Sequence, residues 1–173
     1  LETANLISTQ RAQDLQSIGE ISRVITSEHK LEILLPLITK LVSEKFKFYH
    51  IGIFLLDERG DYVVLEAANS EGGKKMLKRT HRLHVGSGIV GYVAATGIPR
   101  IALDVGADSV FFDNPDLPQT RSEMAVPLRV SGITIGVLDA QSAESNAFND
   151  DDISTFATLA DQVAIAIQNS RNF

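Results

Sequence analysis

Thr120–Gln141, TRSEMAVPLRVSGITIGVLDAQ, holds the densest strand signal and the clearest turn in the chain. Met124, Val126, Leu128 and Val130 alternate with their neighbours, Ser131-Gly132 interrupt the run, and Ile133, Ile135 and Val137 resume it at the same period. Alternation on both sides of a short polar turn predicts a β-hairpin. Of the residues between these, Ala125, Pro127, Thr134, Gly136, Leu138 and Ala140 are small or apolar, and Arg129 is the charged exception. The second face of the sheet is therefore expected to be covered as well.

Composition narrows what can pack around that hairpin. The 173 residues are 44% hydrophobic and 22% charged, which fits one soluble domain with flanking elements. No apolar run approaches the roughly 18 residues of a membrane span, nothing at the start reads as a signal peptide, and a cytoplasmic location is expected. There is no cysteine, so disulfides, thiolate nucleophiles and cysteine-bound zinc are excluded. A net charge of −6 with no tryptophan and few aromatics argues against nucleic acid and anionic membranes as partners.

Working outward, residues 1–30 read as an N-terminal linker or signalling helix. Leu15, Ile18, Ser22 and Ile25 form a narrow stripe, weakened by Gly19, that needs a partner. Leu31–Phe46 reads as a second helix with a wider apolar face; Pro36 places its start in the Leu31–Leu35 region, with Ser27 or nearby turn residues as a loose cap. Tyr49–Leu56 and Tyr62–Ala68 read as a second hairpin around Asp57–Asp61, followed by a mobile loop or short helix at 69–79 and a strand near Thr80–Val85. Ser87 and Gly97 bracket a two-turn helix, and Ile98–Leu103 is extended. Residues 104–119, with four aspartates and Phe111-Phe112, form a long irregular segment of the kind that carries function. A last helix is capped by Asn149 and opens on three aspartates, the charge sign that a helix N-terminus favours.

Several of these stretches resemble the GAF domain family. They are Gly88–Pro99, Leu103-Asp104-Val105, Arg121–Leu128, Gly132 with Ile135–Leu138, Phe148 and Leu159–Ala166, spread in that order from about Leu31 to Asn169. The resemblance implies an α+β fold: a central antiparallel sheet of five to six strands, terminal helices on one face, and a short helix with loops over the other. Residues 31–173 would be the GAF domain, ending in a C-terminal signalling helix. Pro127, odd in an ordinary central strand, is expected in this family. A covalent bilin is excluded for want of a cysteine, as is the chemistry of the cysteine-dependent methionine sulfoxide reductase branch. A cyclic-nucleotide signature would fall on Ser142, Ala143, Phe148, Asp152 and Ile153, of which Phe148 and Asp152 match, so that ligand is disfavoured. Those two residues read better as a core plug and a helix-start charge.

The family leaves the ligand open, and the cofactor is unknown. Candidate pocket residues are Phe111, Phe112, Arg121 and Glu123, with Tyr92 and Asp104 at the mouth. Arg121 would pair with an anionic ligand or with Asp104 or Glu123. No catalytic set is expected, because base, nucleophile and oxyanion donor do not fall together in any motif. No metal site is expected either: His81 and His84 lie on a strand, three apart, and face opposite ways. Gly86-Ser87-Gly88 reads as a turn, Asp113 and Asp116 as a solvated loop, and Lys74–Arg79 as a wet surface.

These readings converge on a non-enzymatic sensory module of a larger signal-transduction protein, such as a two-component system. Its partners would be a small-molecule ligand, a second copy paired through the terminal helices, and a fused output domain such as a histidine kinase or nucleotide cyclase. The alternative is a ligand-free dimerisation scaffold holding output domains in register.

Overall fold

The computed structural model describes residues 2–108, 111 and 113–171. The chain opens with α1 (Glu2–Ser27) and α2 (Leu31–Phe46), then β1 (His50–Leu56), β2 (Tyr62–Ala68), α3 (Glu71–Lys78) and β3 (Arg82–His84). It continues with α4 (Gly88–Thr96), β4 (Arg100–Ala102), a 3-10 turn at Val105–Ala107, β5 (Ser122–Val130), β6 (Ile133–Ser142) and α5 (Asp150–Arg171). All pairings in the six-stranded sheet are antiparallel, in the order β3-β2-β1-β6-β5-β4.

Ser131 and Gly132 take φ of 52° and 79°, the left-handed pair that closes a two-residue type I′ turn between β5 and β6. The register is Met124↔Ala140, Val126↔Leu138 and Leu128↔Gly136, with an irregularity between Leu128 and Arg129. Met124, Val126 and Leu128 therefore share a face with Leu138 and Ala140, whereas alternation alone sets those two on the opposite face. The shift at Leu128/Arg129 exchanges the faces of β6. It turns Val137, Asp139 and Gln141 to the side occupied by Glu123 and Ala125.

The first face buries Ile53, Met124, Val126, Leu128 and Leu138 under α2 and α5, with Ile38, Val42, Phe156, Leu159 and Val163 supplied by the helices. Ile21 and Ile25 of α1 join the same core, so the narrow stripe finds its partner in α2 and α5. The second face packs Phe54, Val63, Leu65, Ala125 and Val137 against Met76 of α3, Ile89, Val90 and Val93 of α4, and Leu117. Both faces are covered.

Local details follow from sequence with one difference. Ser27 does not cap α2: its Oγ donates to the carbonyl of Val24, and Lys30 precedes the helix without a side-chain cap. α1 runs from Glu2, within the stretch expected to be helical, and α2 starts at Leu31, inside the expected region, which puts Pro36 in its second turn, where the missing N–H removes the bond to the carbonyl of Glu32. β4 begins at Arg100, opposite Ala125, so at Pro127 the outer side of β5 has no neighbouring strand and a missing N–H breaks no ladder. Asn149 caps α5 reciprocally, its Oδ1 accepting from Asp152 N at 3.0 Å while Asp152 Oδ2 accepts from Asn149 N at 2.8 Å.

Candidate functional site

The second sheet face carries polar side chains in its middle, where an apolar core would be expected. Glu123 of β5 lies opposite Gln141 of β6, and Asp139 lies opposite Ala125, so Glu123, Asp139 and Gln141 form one buried group across two adjacent strands. Gln141 Nε2 donates to Asp139 Oδ2 at 2.7 Å and to Glu123 Oε2 at 3.1 Å, and Gln141 Oε1 accepts from Thr120 Oγ1 at 2.6 Å. The amide is thereby used up. Asp139 Oδ1, on a residue only 1% exposed, has no hydrogen-bond partner.

Two carboxyls this close and this dry cannot both hold a charge cheaply. Burial is the main cause that pushes Glu123 well above the usual carboxylate range, with the neighbouring Asp139 and the charge of Asp108 adding to it. Asp139 is also raised by burial, opposed by its hydrogen bonds with Glu123 and Gln141. The state consistent with both directions is a proton held at Glu123 and shared toward Asp139.

Around the pair, Phe54, Met76, His81, Ile89, Phe111, Asn114 and Leu117 close a recess of about 30 Å³, room for about one water molecule. Phe111, Asn114 and Leu117 roof it, and the described parts of this segment, 104–108 and 113–119, are each tied down by one arginine. Arg79 Nε and Nη2 donate to Asp116 Oδ2 at 2.9 and 2.6 Å, while Arg79 Nη1 lies 2.9 Å from His81 Nδ1. Arg100 grips Asp108 through both oxygens at 3.1 to 3.3 Å. Gly72 permits the roof to sit this low, since a Cβ there would lie 1.9 Å from the carbonyl oxygen of Asp116.

On the same sheet face, His50 is fully buried; its Nδ1 is 2.6 Å from Ser70 Oγ and its Nε2 has no partner. Burial, then the nearby His81, lowers it to about 4. His81 is likewise lowered to about 4, by burial and by Arg79, with Asp116 opposing. Both rings are neutral near pH 7.

Of the residues singled out from sequence, Phe111 and Glu123 line the recess, and Phe112 lies outside the described residues. Arg121 is exposed and forms no ion pair among the described residues; Glu123 turns away from it toward Asp139 and Gln141. Asp104 is exposed, its Oδ1 accepting from Gly106 N at 3.2 Å. Tyr92 is half-buried beneath the Arg100 guanidinium, 4.7 Å from ring centre to carbon, and so supports the residue that anchors Asp108. Sequence reading missed Asp139, Gln141 and His50. One signal was available for Asp139, an acidic residue inside the apolar run Ile135–Ala140. Among the described residues no group of three or more His, Asp or Glu side chains is placed to hold a metal, and no helix is long and apolar enough to cross a membrane.

A larger, open groove of about 410 Å³ runs between α1 and α5, walled by Ile25, Thr26, Ile165 and Ala166 with Ser22 and Gln162. Glu28 and His29 also line it, whereas the buried carboxyl pair with its unpartnered oxygen lies in the smaller recess.

The GAF domain family model matches residues 28–168. A Nif-specific regulatory protein of Azorhizobium caulinodans is 28% identical over 72% of this chain, and the match spans 20% of that protein's length. Among solved structures, free methionine-R-sulfoxide reductase of Neisseria meningitidis in complex with its substrate is 26% identical, with a TM-score of 0.81 over 92% of this chain and 90% of that one. The GAF domain of a phosphoenolpyruvate-protein phosphotransferase from Coxiella burnetii superposes with a TM-score of 0.84 at 23% identity, over 93% and 96% of the two chains, and shows likeness of fold.

Proposed function

This chain belongs to the GAF family, and from that premise we propose that it is a non-catalytic sensory domain of a larger regulatory protein. A small molecule binds in the recess under residues 104–119, and α1 and α5 relay its presence to a fused output domain. The regulatory relatives, each several times longer than the matched segment, support the fusion. A lack of catalysis is supported by the absence of any thiol, since the reductase branch resembled in sequence depends on cysteine.

The observation that carries the reading is the buried Glu123–Asp139 pair with an unpartnered oxygen. Such a group costs folding free energy, and a ligand that completes its hydrogen bonds is the natural reason for keeping it. Relay has a short physical path. Glu123 faces the recess, while its neighbour Met124 packs into the core beneath α5, so a shift of β5 on one side is felt by the helix on the other. The test is native mass spectrometry of the purified domain together with melting curves in metabolite mixtures. A retained small molecule, or a saturable rise in Tm that Glu123→Gln abolishes, is expected.

A second reading, the ligand-free dimerisation scaffold, is favoured by the groove between α1 and α5 and by Ile165, 54% exposed beside it. A tight dimer in solution whose Tm responds to no metabolite would support the scaffold and sink the sensor.

A further inference from the structure

We propose that the recess takes a small protonated amine, whose N–H groups donate to Asp139 Oδ1 and Glu123. This rests on the reading of the recess as a ligand site and adds the class of ligand.

Both N–H bonds of Gln141 already go to the two carboxyls and its carbonyl accepts from Thr120, so Asp139 Oδ1 has no N–H partner among the described residues and the proton shared from Glu123 is what serves the pair. Among the described residues no lysine or arginine lines the recess. The nearest cations face elsewhere: Arg79 onto Asp116 and Arg100 onto Asp108. Asp108 adds further negative potential at Glu123, and His81 and His50, being neutral, do not offset it. An anion would face two carboxyls with no cation among the described lining residues. A cation bearing N–H donors would neutralise the pair and displace the proton that Glu123 holds, whereas a neutral donor would leave that proton in place. With about 30 Å³ available, ammonium fits beneath the roof as it stands. A larger amine, methylammonium included, requires Asp116 and Asp108 to shift on Arg79 and Arg100.

The experiment is calorimetric titration of the whole chain with ammonium chloride and methylammonium chloride, in two buffers of different ionisation enthalpy and at ionic strength held constant with sodium chloride. Saturable binding is expected, with roughly one proton released per molecule bound and affinity that rises with pH as the pair deprotonates. Tetramethylammonium, which has no N–H, should not bind. Asp139→Asn should weaken methylammonium at least about tenfold, with circular dichroism melts establishing that the variant is folded. If it is not, the tetramethylammonium and proton-release arms decide on the native chain alone. Binding of potassium or tetramethylammonium as tight as that of ammonium, or binding without proton release, would overturn the amine. Failure of amines while a neutral or anionic metabolite raises Tm would overturn the amine and leave the recess a ligand site. Silence from every class would remove both.

Discussion

His50 and Glu123 set opposite limits on the pH at which this domain is stable. The imidazole titrates at about 4 when folded and near 6.5 when unfolded. Between those values the unfolded chain binds the extra proton, so stability present above about pH 6.5 is lost as pH falls through the folded value. For a ring this buried the difference amounts to about 3 kcal/mol. Glu123 works in the other direction. Raised by burial, it favours the fold while protonated, and that contribution is lost as pH rises through its folded value. We expect urea midpoints of the wild type to drop between pH 7 and pH 4.5, and His50→Gln to reduce that drop, His81 supplying the remainder. An unchanged slope in the variant would show that His50 is not the titrating group.

At the scale of elements, the roof stands or falls with its seat on α3. Gly72 lies in the first turn of that helix, where alanine would ordinarily raise helix stability by about 1 kcal/mol. Here the new Cβ would meet the Asp116 carbonyl at 1.9 Å and Leu117 Cδ2 at 2.9 Å, so the sign reverses. Gly72→Ala should cost about 1–3 kcal/mol and speed amide exchange in residues 113–117, as the roof gives up the Arg79–Asp116 pair. A more stable variant with unchanged exchange would mean that the roof is not packed on Gly72. The boundaries of these elements were largely readable: the hairpin turns, the Gly97 stop and the Asn149 start each follow from one residue's backbone or capping preference. The roof's position was not readable, because it depends on backbone atoms of two segments about forty residues apart.

For the molecule as a whole, α1 contributes side chains to the core beneath the helices. Ile21 and Ile25 are 0% and 6% exposed, and Ser22 hydrogen-bonds Gln162 of α5. Removing residues 1–27 strips both isoleucines from the core at roughly 1.5–3 kcal/mol each. Truncation should therefore lower the unfolding free energy by about 3 kcal/mol or more in urea denaturation; an unchanged value would make α1 an independent linker. α1 packs on α5 and α5 packs on β5, so the relay proposed above would run through the α1–α5 contact.

The sequence by itself determined the class of fold: two alternating runs about a Ser-Gly turn, helices with one apolar face, and an ordered set of motifs resembling the GAF family. Those are local properties, set by side-chain period and backbone preference over a few residues. Tertiary structure alone decided the site. An irregularity at Leu128/Arg129 placed Asp139 and Gln141 beside Glu123, and whether an acid in an apolar strand faces a helix layer or a roofed recess depends on strand register. Register is a relation between strands, and no period along one chain contains it.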